Sequence, residues 1–176
     1  FDPSGPNFRH ELYPQYKANR EATPEDIKLA IPYIKRILEA YRIPVIQISG
    51  FEADDVIGTL AKKFANEENC VYMMTPDKDY AQLVDENIYM YKPGRSGNAA
   101  EIIGIKEVNE KFRIDNPAKV IDILALWGDT SDNVPGVPGI GEKTAAKLIE
   151  KFGSIDSLYD NINKLVGKQK ESIEKG

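Results

Sequence analysis

The 176-residue sequence is poor in cysteine and histidine, with one of each. Cys70 has no second cysteine with which to form an internal disulfide, so we expect a reducing, intracellular compartment and Cys70 as a small core residue. The scarcity of these two residue types argues against a zinc site, which takes most of its ligands from them. No apolar run approaches the roughly 18 residues of a membrane-spanning helix, so no such helix is expected.

An excess of basic residues is also missing, because 23 Lys and Arg stand against 28 Asp and Glu, a formal net charge of −5. An acidic balance of this kind argues against a nucleic-acid partner. Eight of the acidic residues are, however, candidates for one metal site, and leaving out these eight negative charges turns −5 into +3. Net charge therefore does not exclude DNA.

Short apolar segments alternate with helical patterns over the first half of the chain. The predicted helices are 24–41, 53–67 and 78–84, and the predicted strands are 45–48, 70–75 and 88–91. Thr23 is the expected cap of the first helix, and Pro32 is expected to kink it. Strands that alternate with helices pair in parallel, so this pattern predicts an α/β fold with a central, mostly parallel sheet flanked by helices.

The pattern changes after a predicted loop at Pro93–Gly97. A strongly apolar helix is predicted over Pro117–Trp127, with Trp127 in the core, and no further strand is predicted. The chain from Gly128 onward is typical of a small helical subdomain with a Gly/Pro-rich turn at 135–141. We therefore predict two domains, an α/β core over 1–115 and a helical subdomain over 116–176.

Acidic residues follow one predicted strand after another. Ligand sites in open α/β sheets lie outside the carboxyl ends of the strands, so side chains at these ends can converge. The eight candidates are Asp2, Glu52, Asp54, Asp55, Asp77, Asp79, Asp129 and Asp132. Each group alone also fits a simpler role as a helix cap, a turn residue or a complement to a helix dipole. Their recurrence at equivalent strand ends favours a metal site.

Phosphodiester hydrolysis is the chemistry that such a cluster suits. The reaction needs an activated water and a stabilised anionic transition state, and two hard cations about 4 Å apart can supply both. Hard cations such as Mg²⁺ take oxygen ligands, and carboxylates provide them. So many carboxylates gathered without a cation would repel one another strongly. The sequence therefore predicts a two-metal hydrolase.

A glycine-rich hairpin follows the last of these acids. The segment Val137–Ile149 is typical of a helix-hairpin-helix, in which a tight turn points backbone N–H groups at a phosphate and reads no base. Its candidate DNA-binding residues are Gly139, Ile140, Gly141, Lys143, Thr144 and Lys147. A Gly-Ile-Gly turn alone would be weak support, but the whole pattern favours sequence-independent DNA binding.

These motifs carry a family resemblance. The stretches Phe51–Asp55, Thr75–Asp79 and Gly128–Thr144, together with Phe8–Leu12 and Tyr16–Arg20, closely resemble the 5′-nuclease (5′–3′ exonuclease) domain of bacterial DNA polymerase I. The resemblance covers essentially the whole chain and lies within the flap-endonuclease superfamily. It implies a PIN-like flap-nuclease fold and an enzyme that removes 5′ flaps and RNA primers and trims duplex 5′ ends.

The resemblance also implies roles for the acids. Asp2, Glu52, Asp54 and Asp55 would serve a first metal region, and Asp77, Asp79, Asp129 and Asp132 a second. The cofactor would be two Mg²⁺ ions, with Mn²⁺ as a substitute, and a K⁺ ion at the hairpin. The partners would be DNA with a 5′ flap or a nicked or forked duplex, and RNA primer–DNA hybrids, in the bacterial cytoplasm near the nucleoid.

A basic segment at about 3–22 would form an arch over the site in this family. Arg9, Lys17 and Arg20 would then hold the scissile phosphate, and Tyr16 would stack on a base or anchor the arch. Composition alone would make the same segment a solvated surface loop. We expect His10 to be structural rather than catalytic.

The sequence departs from the family at its start. Family members carry a further strand, with one more metal-binding Asp, ahead of the position of Asp2. The sequence begins at Phe1 without an initiator Met and ends in a helix-like polar pattern, so we expect a longer chain on both sides. Two alternatives stay open: a free-standing exonuclease rather than part of a polymerase, and a structure-selective DNA-binding module without turnover.

Overall fold

The computed structural model of the protein describes residues 1–94 and 97–176. The chain divides into two compact units, one of Phe1–Ile57 with Ser131–Val134 and the other of Gly58–Thr130 with Pro135–Gly176. Arg95 and Ser96, in the predicted loop at 93–97, lie outside the described residues. The predicted domain boundary between 115 and 116 stays a prediction.

The first unit contains two helices, α1 at Phe8–Leu12 and α2 at Glu25–Ala40. Asn7 begins α1, because its side chain accepts a hydrogen bond from the Arg9 amide at 2.9 Å. The predicted Thr23 cap of α2 is wrong, since the N-cap position is Pro24, which provides no side-chain cap. The helix continues through Pro32 without a break and buries none of its residues.

The predicted strand at 45–48 is also wrong. These residues form no strand, and Val45, Ile46 and Ile48 are exposed. A strand requires a hydrogen-bonded neighbour, and this segment makes isolated contacts instead, such as those from the Phe1 amino group to the Ile46 carbonyl and from the Gln47 side chain to the Asp2 carbonyl. Apolar composition alone does not provide that neighbour.

Helix α3, at Ala53–Phe64, follows this segment and carries two of the candidate acids, Asp54 and Asp55, in its first turn. Acids in this position complement the positive end of the helix dipole. The helix ends three residues before the predicted Glu67. Within the helix, Ala61 is buried whereas Phe64 is exposed.

The second unit contains a three-stranded sheet in the order β1 (Val71–Met74), β2 (Ile88–Lys92) and β3 (Glu101–Ile103). The first two strands pair in parallel, as predicted, with Val71 opposite Ile88, and a 3₁₀ helix at Lys78–Leu83 connects them. The antiparallel β3 was not predicted, because three residues with Glu101 and Ile102 exposed give no apolar pattern. Cys70, expected in the core, is exposed just before β1.

The remaining regular elements of this unit are mainly helices. They are α4 (Ile105–Phe112), α5 (Val120–Trp127), α6 (Glu142–Phe152), α7 (Ile155–Asp160) and α8 (Gly167–Lys175), with 3₁₀ turns at Pro117–Lys119 and Ile162–Lys164. Their apolar faces meet the sheet in one core, in which Ile123, Leu126 and Ile149 are almost fully buried. Trp127 packs against this core. Among the described residues, no helix is long and apolar enough to span a membrane.

Candidate functional site

Glu52 is the centre of the first acidic cluster, which we define as Glu52, Asp55 and Asp132. The residue is 8% exposed, and its side chain accepts hydrogen bonds from Asn7 Nδ2 at 2.6 Å and Lys17 Nζ at 2.7 Å. The Tyr16 hydroxyl lies 3.0 Å from Glu52 Oε2. A buried carboxylate is stable only with such partners, and the segment around α1 supplies all three.

Asp132 lies beside Glu52, because the Tyr16 hydroxyl is also 3.0 Å from Asp132 Oδ2. Lys17 Nζ is 3.7 Å from the same oxygen, and the Arg20 guanidinium pairs with Asp132 Oδ1. The Lys17 amide donates to the Asp132 carbonyl at 2.8 Å, which holds Lys17 in a left-handed conformation with a φ of 56°. Two carboxylates distant in sequence are thus joined by one hydroxyl and one ammonium.

Tyr16 itself is 7% exposed, and its ring meets His10 edge-on at 5.3 Å. Burial, followed by the hydrogen bonds to Glu52 and Asp132, raises the pKa of the Tyr16 hydroxyl well above its usual range. The hydroxyl therefore stays protonated and donates to one carboxylate at a time. This burial favours the anchoring role of Tyr16 over base stacking.

Arg9 holds the third acid of this cluster. Its guanidinium donates two hydrogen bonds to Asp55, at 2.8 and 2.7 Å, in the bidentate geometry that makes such pairs strong. The hydrogen bond from Arg9 lowers the pKa of Asp55, although burial opposes this. Asp55 also accepts from the Glu52 amide at 2.8 Å and so caps the start of α3.

The two remaining acids of the predicted first metal region are exposed. Asp2 Oδ1 accepts a hydrogen bond from the Ala53 amide at 2.6 Å, and Asp54 lies in the first turn of α3. Asp2 therefore also lies near the start of α3, although 51 residues separate it from Ala53 in the sequence.

The second acidic cluster consists of Asp77, Asp79 and Asp129, and Lys78 pairs with the last two. Lys78 Nζ lies 2.8 Å from Asp129 Oδ2 and 3.2 Å from Asp79 Oδ1, and 5.2 Å above the ring of Trp127. Burial disfavours the charge on Lys78, but the hydrogen bond to Asp129 and the charge of Asp79 outweigh it and raise the pKa of Lys78. Burial raises the pKa of Asp79, whose Oδ1 accepts no hydrogen bond of good geometry. Asp77 caps the 3₁₀ helix through the Asp79 amide at 3.0 Å.

The first cluster is thus balanced by three basic side chains, whereas in the second Lys78 pairs with Asp79 and Asp129. Within residues 1–94 and 97–176, no three His, Cys, Asp or Glu side chains are grouped so that they could hold a metal ion. The eight-carboxylate site therefore stays a prediction. Two residues that position these acids, Asn7 and Lys78, were missed as site residues; only Lys78 had a signal, since it stands between Asp77 and Asp79.

The predicted hairpin joins α5 to α6. The Val137 amide donates to the Leu126 carbonyl at 2.9 Å, and the Ile140 amide closes a turn on Val137 at 3.0 Å. Gly139 takes a φ of 79°, a conformation that favours glycine, and Gly141 begins α6 without a side-chain cap. Lys143 and Lys147 are exposed on α6, whereas Val137 and Ile140 are buried.

Comparison with known families identifies the class of protein. Residues 1–113 match the 5′-3′ exonuclease N-terminal resolvase-like domain, and residues 115–176 match the 5′-3′ exonuclease C-terminal SAM fold. The chain therefore belongs to the 5′-3′ exonuclease family, which confirms the predicted fold of an α/β core followed by a helical part.

Several DNA polymerases are similar to the chain in sequence. The chain is 39% identical to DNA polymerase I of Caldicellulosiruptor bescii over 178 aligned residues, which cover 100% of this chain and 21% of that protein. It thus spans about a fifth of the length of this curated relative. The resemblance to the 5′-nuclease part of DNA polymerase I is confirmed.

Solved structures support the same fold. A structure of T5 5′-exonuclease with bound divalent metal ions (zinc) has a TM-score of 0.72 and 26% identity, covering 98% of this chain and 65% of that one. A complex of bacteriophage T5 flap endonuclease with DNA and metal ions has a TM-score of 0.73 and 26% identity, with the same coverage.

Proposed function

We propose that this chain is the 5′-nuclease part of a DNA polymerase I and hydrolyses DNA phosphodiesters near 5′ ends with divalent metal ions. The observation that carries the proposal is the pairing of Glu52 and Asp132 by Lys17 and Tyr16. Two carboxylates from distant parts of the chain are brought together under a basic segment, which is an arrangement suited to cations and phosphate.

The donor chemistry fits hard divalent cations. The candidate ligands are all carboxylates, and the buried Asp79 Oδ1, which has Lys78 Nζ as a cationic neighbour at 3.2 Å, would gain a further cationic partner from a bound ion. The residues that would hold Mg²⁺, or Mn²⁺ as a substitute, are Asp2, Glu52, Asp54, Asp55, Asp77, Asp79, Asp129 and Asp132. Such ions, when bound, lower the pKa of water and offset charge on the reacting phosphate.

The basic side chains of the arch, residues 3–22, have a second role in this proposal. Lys17 pairs with Glu52 and Arg20 pairs with Asp132. A bound phosphodiester offers these cations another anionic partner, so we expect Lys17 and Arg20, together with Arg9, to hold the scissile phosphate. Tyr16 fixes the arch through its buried hydroxyl.

The hairpin is the proposed anchor for duplex DNA. The uncapped start of α6 presents backbone amides and the positive end of the helix dipole, and Lys143 and Lys147 add charge on the same helix. These groups recognise phosphate and no base. A K⁺ ion at the hairpin would help to hold the same strand. The proposed substrates are 5′ flaps, nicked or forked duplexes and RNA primer–DNA hybrids in the cytoplasm.

The test is cleavage of a 5′-flap substrate by Asp77→Asn and Asp132→Asn. Both substitutions keep the size of the side chain and remove its charge, so we expect cleavage to be abolished while DNA binding, measured in EDTA, is retained. Asp85→Asn is the matched control, because Asp85 is exposed and pairs with Lys62 at 3.1 Å outside both clusters. Unchanged cleavage by either cluster variant would contradict the metal assignment.

A second candidate function is DNA binding without turnover. It is favoured by the ion pairing of both clusters, since no group of acids within the described residues is arranged to hold a metal. Binding of flap DNA with no cleavage in Mg²⁺ or Mn²⁺ would establish this alternative for the chain. Cleavage that EDTA abolishes would exclude it.

A further inference from the structure

A basic cleft lies in the second unit between the end of α4 and the outer face of α6. It has a volume of about 340 Å³. The basic cleft is lined by Lys111, Phe112, Arg113, Glu142, Lys143, Ala146 and Lys147. Two of its cations belong to the hairpin helix, whereas Lys111 and Arg113 come from a different element that no DNA-binding motif includes.

The charges of the basic cleft are not balanced. All four cations are exposed, and Glu142 is the one carboxylate among the lining residues. Within the described residues none of the four forms an ion pair, whereas Lys106 on the same helix α4 reaches Glu110 at 4.0 Å. Four unpaired cations around one cavity repel one another, and an anionic ligand would relieve that repulsion.

The backbone fixes the position of Arg113. Its φ of 58° and ψ of 46° are left-handed, and its amide donates to the Asn109 carbonyl, which ends α4. This C-terminal position favours glycine, because a side chain is strained in the left-handed region. An arginine stands there against that preference, and its side chain lines the basic cleft.

We propose that the basic cleft binds backbone phosphates of duplex DNA, with Lys111 and Arg113 each adding a phosphate contact to those of the hairpin. The inference rests on the proposed function, since the hairpin brings the DNA. Each DNA strand presents a phosphate about every 3.4 Å along the helix axis, so a strand held at the start of α6 also brings phosphates to the neighbouring cleft. Lys143 and Lys147 line this cleft from the hairpin side.

The test compares salt dependence of duplex binding by Arg113→Gly, Lys111→Ala and the double variant, measured by fluorescence anisotropy in EDTA. Each lost phosphate contact makes the negative slope of log K against log salt less steep by about 0.9, which over the tenfold range from 1 M to 0.1 M salt amounts to about an 8-fold loss of affinity. We expect about a 60-fold loss for the double variant on the same basis. Lys106→Ala is the control, and its affinity should change less than about twofold.

Arg113→Gly separates binding from folding. Glycine relieves the left-handed strain, so the melting temperature should hold or rise while affinity falls. A wild-type chain that binds DNA, with slopes unchanged in all three variants, would overturn the inference and leave the proposed function intact. A wild-type chain that fails to bind duplex DNA would overturn both.

Discussion

Lys78→Met tests whether the second acidic cluster is a cation site. The substitution removes the ammonium group that lies 2.8 Å from Asp129 and 3.2 Å from Asp79, and it keeps an unbranched side chain that can still pack on Trp127. Asp79 and Asp129 then lose the cation between them. The variant should be less stable than the wild type in EDTA, and a divalent metal should restore part of that stability.

The expected loss follows from the contacts. A hydrogen bond between charged groups contributes about 1.5–3 kcal/mol when buried, and a cation above an aromatic ring about 0.5–1 kcal/mol. The side chains of Lys78, Asp79 and Asp129 are 29%, 39% and 19% exposed, so solvent screening reduces these values. We expect Lys78→Met to lower the free energy of unfolding by about 1–2 kcal/mol in EDTA. A metal at ten times its dissociation constant would restore about 1.4 kcal/mol.

Urea unfolding followed by the fluorescence of Trp127, the single tryptophan, measures both effects. The comparison is between EDTA and Mg²⁺ for the wild type and the variant. Lys62→Met is the matched control, because Lys62 and Asp85 form an exposed pair that should contribute less than about 1 kcal/mol. The reasoning would be refuted if Lys78→Met lost no more free energy of unfolding in EDTA than Lys62→Met does. It would also be refuted if Mg²⁺ raised the free energy of unfolding of variant and wild type equally.

Two further predictions concern stability. Arg9→Gln should lower the free energy of unfolding by about 1 kcal/mol near neutral pH, because it removes the bidentate pair with Asp55. The pKa of Asp55 is lowered in the folded chain, so this contribution is complete above the ordinary pKa of 3.8 and is lost as the pH falls below it. Urea titrations down to pH 3 measure it, and a constant difference in the free energy of unfolding between variant and wild type would contradict the prediction. Gly136→Ala should cost about 2 kcal/mol or more, because a Cβ atom there would lie 2.2 Å from the Trp127 carbonyl oxygen. Gly141→Ala is its control, since a Cβ atom there meets nothing within 4 Å. Thermal melts in which both variants lose the same melting temperature would be inconsistent with a steric cause.

Local patterns predicted the elements whose partners are close in sequence. The strands β1 and β2 pair in parallel because a single short crossover connects two apolar runs, and this could be inferred from Cys70–Thr75 and Ile88–Tyr91. The hairpin followed from its glycine and lysine positions. The predicted strand at 45–48 is wrong because a strand exists only when another backbone segment pairs with it, and the local sequence does not show whether such a segment is present.

The candidate site shows the same division. The identity of the acids, and the family to which they belong, were determined by the sequence, because short motifs carry both. The tertiary structure alone decided that Glu52 meets Asp132 across 80 positions of the chain, joined by the hydroxyl of Tyr16. It also decided that Lys111 and Arg113 share a cleft with Lys143 and Lys147. Charge interactions depend on distance in space, and that distance is set by the packing of the whole chain rather than by any local pattern.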